Sequence, residues 1–188
     1  MRILLSEHFC SGGLAGRPLD AGLAAEGAAM LRALAEDFHA AGHAVSVLLD
    51  ERQGWPIPGR IIPVAAASPR QAAAAFARGL AESDAALVVA PESAGLLEAA
   101  LDRVEQAGVR NLGSPSGTVG EVSDKHALGR RLAEAGIRAP AGRLGLDAAA
   151  AMLAQHEAVV IKPNRGAGCV DTFICQSTAD IEIGRAHV

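Results

Sequence analysis

In the first 112 residues, short apolar runs alternate with segments of helical character, and this alternation restricts the fold more than any other feature of the chain. Five apolar runs have the length of buried strands: Ile3–Ser6, Ala44–Leu49, Ile61–Val64, Ala85–Ala90 and Val109–Leu112. Three longer segments between them have helical spacing or helix-forming composition: Ala24–Ala41, Pro69–Ala81 and Ala94–Gln106. Because parallel strands are joined by crossovers that are usually helices, the pattern predicts an α/β domain with a parallel sheet covered by helices.

A stretch rich in glycine, serine and proline, Gly113–Gly120, indicates a boundary between domains over residues 1–118 and 119–188. Beyond it the sequence predicts two helices and then two strands, in the order Asp124–Ala135, Asp147–Gln155, Ala158–Lys162 and Val170–Cys175. A tight glycine loop, Asn164–Gly168, separates the two strands. We therefore expect the second domain to be α+β and to contain an antiparallel hairpin.

Composition and charge argue against several classes of function. The formal net charge is −4, no basic run occurs and aromatic residues make up 3% of the chain, so we expect no nucleic-acid surface. No apolar run approaches the roughly 18 residues of a membrane span, and the N-terminus turns acidic too early for a signal peptide. Cysteines and histidines show no metal-ligand spacing, so no metal site is predicted and a reducing, cytoplasmic setting is expected.

Of the 17 lysines and arginines only two are lysines, Lys125 and Lys162. Lys125 lies at a predicted helix start, where the helix dipole disfavours a cation unless an anion is near. Its spacing from Leu128 and Leu132 places it on the same helix face as apolar residues that point inward. The alternative is a solvated lysine on a surface helix.

Lys162 ends a predicted buried strand, where a charge is costly unless it meets an anion. It precedes a loop with Gly166, Ala167 and Gly168, and backbone N–H groups in such a loop can form an anion-binding nest. The alternative is an ordinary hairpin turn with an exposed lysine. Because an ammonium group suits phosphate, the two lysines together favour a nucleoside triphosphate site.

The loop after the first predicted strand is a second candidate site. Glu7, Ser11, Gly12 and Gly13 follow this strand, and ligands of open α/β sheets bind beyond the carboxyl ends of the strands. These residues are therefore candidates for substrate binding, and the alternative is a plain strand–helix connection. The loop lacks the G-x-G-x-x-G pattern, so a dinucleotide-binding protein is disfavoured.

Two segments of the second half resemble the ATP-grasp superfamily. Ser123–Lys125 with Ala135–Pro140 is similar to that family's helix with an ATP-contacting lysine and the turn that follows it. Val159–Pro163 with Gly166–Gly168 is similar to its second lysine strand and to the glycine loop that covers the phosphates. The combination of the motifs is more specific than either motif alone.

Segments near the N-terminus are similar to a narrower group within that superfamily. Met1–Glu7 with Cys10–Gly13, and Glu26–Leu31 with Asp37–Phe38 and Gly42–Val45, resemble ligases of the tyramine–glutamate ligase type. The resemblance implies an enzyme in which a carboxylate attacks the γ-phosphate of ATP and an amine then displaces phosphate to form an amide. It implies ATP and Mg²⁺ as cofactors, and a small-molecule carboxylate and amine as partners.

The resemblance also implies an organisation for the chain. Residues 1–118 would form a Rossmann-like pre-ATP-grasp domain, and residues 119–188 an incomplete ATP-grasp small subdomain. Lys125 and Lys162 would neutralise the phosphates of ATP, and the loop Gly166–Gly168 would close over them. The family's Mg²⁺ ligands and adenine-binding segment have no counterpart here, so we expect the N-terminal portion of a ligase. The alternative is a non-catalytic ATP-binding regulatory module.

Residues 183–188 resemble the translation of a sequencing adapter and interrupt a helix expected from about Thr178. We therefore expect a truncated reading frame whose product is inactive alone. The sequence carries no signal of an oligomeric state.

Overall fold

A computed structural model of the chain describes residues 1–65, 67–166 and 168–185. The chain divides into two compact units. The first consists of Met1–Pro91 and Leu96–Ser116, and the second of Glu92–Gly95 and the chain from Gly117 onward. The division after Ser116 falls within the stretch rich in glycine, serine and proline.

In the first unit, the described residues form one sheet of five parallel strands. The strands are β1 (Arg2–Glu7), β2 (Ala44–Asp50), β3 (Arg60–Val64), β4 (Ala85–Val89) and β5 (Arg110–Asn111). Their order in the sheet is β3-β2-β1-β4-β5, so β1 is central and the chain proceeds to opposite sides of it through β2 and β4. The predicted α/β fold with a parallel sheet is confirmed.

The helices of the first unit are α1 (Ala21–Ala40), α2 (Pro69–Ala81) and α3 (Leu96–Gln106). Helix α1 begins three residues before the predicted start because the Asp20 carboxylate caps the N–H groups of Gly22 and Leu23. It ends at Ala40, and Gly42 beyond it has a φ of 80°, the left-handed conformation that glycine adopts readily.

The predicted helix Ala94–Gln106 is wrong in its first turn. A 3₁₀ turn spans Ser93–Gly95, and Ala94 has a φ of 54°, which interrupts the helix before α3 starts. The two segments are therefore separate elements, and the 3₁₀ turn belongs to the second unit.

One core of the first unit lies between the sheet and α1. Alternate residues of β1 and β2 point towards the helix, and the buried face of the helix packs against them. The cluster consists of Ile3, Leu5, Cys10, Ala28, Leu31, Ala35, Val45, Val47, Leu49, Ile57 and Ala85. Its small and branched side chains account for a core built almost without aromatic residues.

The second unit contains the helices α5 (Lys125–Glu134), α6 (Asp147–Leu153) and α7 (Thr178–Arg185). They follow α4 (Ser116–Ser123), which the sequence analysis missed because glycine, serine and threonine are weak helix formers. Helix α7 continues to Arg185, so the expected interruption of this helix at residue 183 is wrong. Residues 186–188 lie outside the described residues.

The strands of the second unit, β6 (Val159–Ile161) and β7 (Phe173–Cys175), pair in antiparallel fashion, as predicted. Both are shorter than the predicted segments, and Val170 and Asp171 of the second segment lie in a turn before β7. A small core packs on one face of the hairpin, formed by Ala149, Val159, Ile161, Cys175 and Ile181.

In the described part of the chain, no helix has the length and apolar character that crossing a membrane requires.

Candidate functional site

Lys125 is the first residue of α5, as predicted, and its ammonium group contacts the glycine loop. The Nζ atom donates a hydrogen bond to the carbonyl oxygen of Gly166 at 2.7 Å and a longer one to that of Asn164 at 3.3 Å. The Asp124 carboxylate caps the helix by accepting from the N–H of Ala127 at 2.9 Å. The structure therefore brings Lys125 and the predicted phosphate loop into contact, with loop carbonyls in the place expected for an anion.

Lys162 lies in a different environment from the one predicted. Strand β6 ends at Ile161, and Lys162 is exposed, so the desolvation argument for an anion partner is wrong. The physical reason is the period of two along a strand. Val159 and Ile161 face the small core, while Val160, which is 56% exposed, and Lys162 fall on the open side. Its role at a phosphate site remains a prediction.

Residues at the end of the glycine loop and directly after it have positive φ values. Gly168 has a φ of 70°, and the residues Cys169 and Asp171 also have positive φ values of 57° and 51°. A Cβ added at Gly168 would meet no atom within 4 Å, so glycine is favoured there by its backbone conformation and not by lack of space. Gly166 offers its carbonyl oxygen to Lys125, and Ala167 lies outside the described residues.

The loop after β1 brings Ser11, Gly12 and Gly13 together, and each has a structural role. The Ser11 hydroxyl donates to the carbonyl of Leu48 at 2.7 Å and accepts from the N–H of Glu7 at 3.0 Å. A Cβ on Gly12 would lie 2.6 Å from a methyl group of Val64, and one on Gly13 would overlap the His8 ring at 2.4 Å. These contacts support the alternative reading of Ser11, Gly12 and Gly13 as a plain strand–helix connection.

The Glu7 carboxylate is directed into the protein, and only 1% of the residue is exposed. Its Oε2 atom accepts from the N–H of Cys10 at 2.9 Å, and a Cβ on Gly27 would lie 2.1 Å from this oxygen. Burial raises the pKa of Glu7, and the hydrogen bonds from the backbone of Cys10 and Phe9 offset this only in part. Burial also raises the pKa of the neighbouring Cys10 thiol, to about 12, so this thiol is not a nucleophile at neutral pH.

A buried ion pair that the sequence analysis missed fixes the loop after β1. Asp50 is completely buried at the end of β2, and Arg52 donates to its carboxylate from Nε at 2.9 Å and Nη2 at 2.6 Å. The same guanidinium donates to the carbonyls of Arg17 at 2.6 Å and Leu14 at 3.1 Å. The sequence feature that could have revealed this ion pair is Asp50-Glu51-Arg52, directly after a predicted strand.

This pairing also bears on the disfavoured dinucleotide-binding alternative. Burial raises the pKa of Asp50, but the hydrogen bonds from Arg52 outweigh it, so the pKa is lowered overall. An acidic residue near this place in a dinucleotide-binding sheet accepts from a ribose hydroxyl. Here that carboxylate is already bound by Arg52 and is out of reach of solvent.

Among the residues that the structure describes, no group of three or more histidine, cysteine or acidic side chains could hold a metal ion.

Comparisons with known proteins agree with this architecture. Residues 43–119 match the family model of the pre ATP-grasp 3 domain. A crystal structure assigned to the ATP-grasp superfamily, from Archaeoglobus fulgidus, has the same fold with a TM-score of 0.63 and 21% sequence identity. The match covers 88% of this chain and 47% of that one, so this chain spans about half of that protein's length. No curated protein matches the sequence. The domain match and the shared fold together support the ATP-grasp superfamily for this chain.

Proposed function

We propose that this chain is the N-terminal portion of an ATP-dependent ligase that joins a carboxylate to an amine through an acyl phosphate. The observation that supports the proposal most is the contact of Lys125 with the glycine loop that follows β6. Through this contact, a cation, the glycine loop and the N-terminus of α5 lie next to one another in the second unit. Each of these groups is suited to phosphate.

In the proposed reaction, a carboxylate oxygen of the first substrate attacks the γ-phosphorus of ATP, and the bond to the β,γ-bridging oxygen breaks to release ADP. The amine nitrogen of the second substrate then attacks the acyl carbon, and inorganic phosphate leaves as the amine loses a proton. Phosphoryl transfer of this kind depends mainly on positioning and charge stabilisation. Lys125 and Lys162 supply positive charge for the phosphates, and N–H groups of the loop Gly166–Gly168 orient them.

The proposal assigns residues 1–118 to a pre-ATP-grasp domain and residues 119–188 to the first part of the ATP-grasp domain. The loop with Ser11, Gly12 and Gly13 is proposed to border the substrate, with Glu7 supporting the loop from the interior. Tyramine and L-glutamate are the proposed substrates, since the N-terminal segments resemble ligases of that type.

ATP binding requires an exchange of partners at Lys125. The ammonium group now bonds to neutral carbonyl oxygens, at 2.7 Å for Gly166. A phosphate oxygen is a stronger acceptor, because charge-assisted hydrogen bonds are roughly twice as strong as neutral ones. The phosphates of ATP can therefore replace the Gly166 carbonyl, which frees the glycine loop to rearrange around them.

Isothermal titration calorimetry with ATP, with and without Mg²⁺, tests the proposal on the wild-type chain and on Lys125→Ala and Lys162→Ala. We expect measurable binding that each substitution weakens at least about tenfold, since each removes a charge-assisted bond of about 1.5–3 kcal/mol. Arg130→Ala is the matched control, because it removes an exposed cation from the same helix. Failure of the wild type to bind, or equal affinities in all four proteins, would contradict the proposal.

An assay of ADP formation by a protein that carries this chain separates the ligase from the non-catalytic ATP-binding alternative. ADP release that requires both L-glutamate and tyramine supports the narrower assignment, and release with another carboxylate and amine supports the ligase alone. ATP binding with no ADP release for any substrate pair favours the regulatory module.

A further inference from the structure

We infer that Asn164 is a positioning residue that ties the glycine loop to the start of α5 and so holds both lysines at one phosphate site. The inference rests on the proposed ATP-binding function. Asn164 is part of neither lysine motif, and its role depends on contacts across 38 and 39 positions of the sequence.

The backbone of Asn164 contacts Lys125 twice. Its carbonyl oxygen accepts from the N–H of Lys125 at 3.2 Å and from the Nζ atom of the same residue at 3.3 Å. One oxygen atom therefore fixes both the main chain and the ammonium end of Lys125.

The side chain of Asn164 makes a second set of contacts with the same helix start. Its Oδ1 atom accepts from the N–H of His126 at 2.9 Å. Asn164 thus bonds to two consecutive residues, Lys125 and His126, at the point where α5 begins.

The hydrogen bonds from Asn164 are additional to the side-chain cap that usually stabilises the start of a helix. The first four N–H groups of a helix lack partners within it, and a single capping side chain usually suffices to stabilise that end. Asp124 already provides this cap through the N–H of Ala127. The additional bonds from Asn164 satisfy the N–H groups of Lys125 and His126, and their effect is to join the loop to the helix.

The connection places constraints on both lysines. Lys125 is bonded directly to Asn164, and Lys162 lies two residues before it, within about 7 Å of chain length. Pro163 stands between them and restricts the backbone further by fixing its own φ. Loss of the Asn164 side chain would leave both lysines and the backbone contacts of Lys125 in the protein but would remove the bond between the loop and His126.

A double-mutant cycle tests this role through ATP affinity. We expect Asn164→Ala to weaken ATP binding about tenfold in calorimetry, and to have less than about a twofold effect when Lys125→Ala is already present. Asn111→Ala is the matched control, since Asn111 also bonds to nearby loop backbone but lies in the first unit. Equal effects of Asn164→Ala in both backgrounds, or no effect in either, would overturn the inference.

Amide hydrogen exchange tests the same role without ATP. In Asn164→Ala we expect the N–H of His126, which loses its side-chain acceptor, to exchange at least about tenfold faster, while amides of the first unit keep their wild-type rates and show that the variant is folded. Unchanged exchange at His126 would overturn the positioning role. If the wild type binds no ATP, the proposed function fails, and the exchange rates still decide whether Asn164 ties the loop to the helix.

Discussion

At the scale of single residues, the carboxyl of Glu7 is buried and lies against Gly27 of α1. Burial raises its pKa above the ordinary value of 4.5. A raised pKa means that the folded state binds this proton more tightly than the unfolded state. Stability from Glu7 is therefore complete below about pH 4.5 and is lost as the pH rises through the pKa of the folded state.

We expect Glu7→Gln to be about as stable as the wild type at pH 4.0, and more stable by about 1 kcal/mol at pH 7.5, because the amide cannot ionise. Urea unfolding at the two pH values measures the difference. Glu36→Gln, an exposed substitution on α1, serves as the control and should show little change. The account of Glu7 fails if Glu7→Gln has the same effect at both pH values.

At the scale of elements, the loop between β1 and α1 is fixed by Arg52 on the neighbouring strand end. The guanidinium joins the buried Asp50 carboxylate to the carbonyls of Leu14 and Arg17. Removal of one partner from a buried pair leaves an uncompensated charge, which costs more than the net contribution of the pair.

We expect Arg52→Ala to destabilise the first unit by about 2 kcal/mol, since its side chain is 31% exposed and water can partly solvate Asp50 after the change. Addition of Asp50→Asn should restore part of the loss, because it removes the unpaired charge. Arg60→Ala, which breaks an exposed pair with Glu82, should change stability by less than about 1 kcal/mol. Denaturant unfolding of the variants measures these values, and similar losses in Arg52→Ala and Arg60→Ala would refute the buried-pair interpretation.

Local signals explain which elements could be predicted from the sequence. Helix α2 was predicted over its whole length, Pro69–Ala81, since Ser68 and Pro69 mark its start and alanine favours helix throughout. Helix α4 was missed because its residues are poor helix formers, and Ser116 at its start is hydrogen-bonded to the Glu105 carboxylate. Local sequence also placed Lys125 at a helix start, but it could not reveal that Asn164 and Gly166 lie against this lysine. The burial predicted for Lys162 was wrong because one face of the short strand β6 is open to solvent.

At the scale of the whole molecule, each of the two units has features that are compatible with the proposed ligase. A parallel sheet with the pre ATP-grasp domain match is followed by a second unit with a lysine, a hairpin and a glycine loop. The solved relative with this fold is about twice as long. The proposal therefore assigns phosphate contacts to the residues of this chain and leaves the metal ligands and the adenine contacts to the remainder of such a protein.

The scarcity of lysine makes the central claim directly measurable. Because the chain has only Lys125 and Lys162, incorporation of lysine labelled with ¹³C at the ε-carbon gives two side-chain signals in an NMR spectrum. Titration with ATP, beside adenosine as a control that lacks phosphate, follows both ammonium groups at once. We predict that both signals shift with ATP along one binding curve and that neither shifts with adenosine. Signals that remain unchanged at saturating ATP, or that report two unrelated affinities, would contradict a single phosphate site formed by the two lysines.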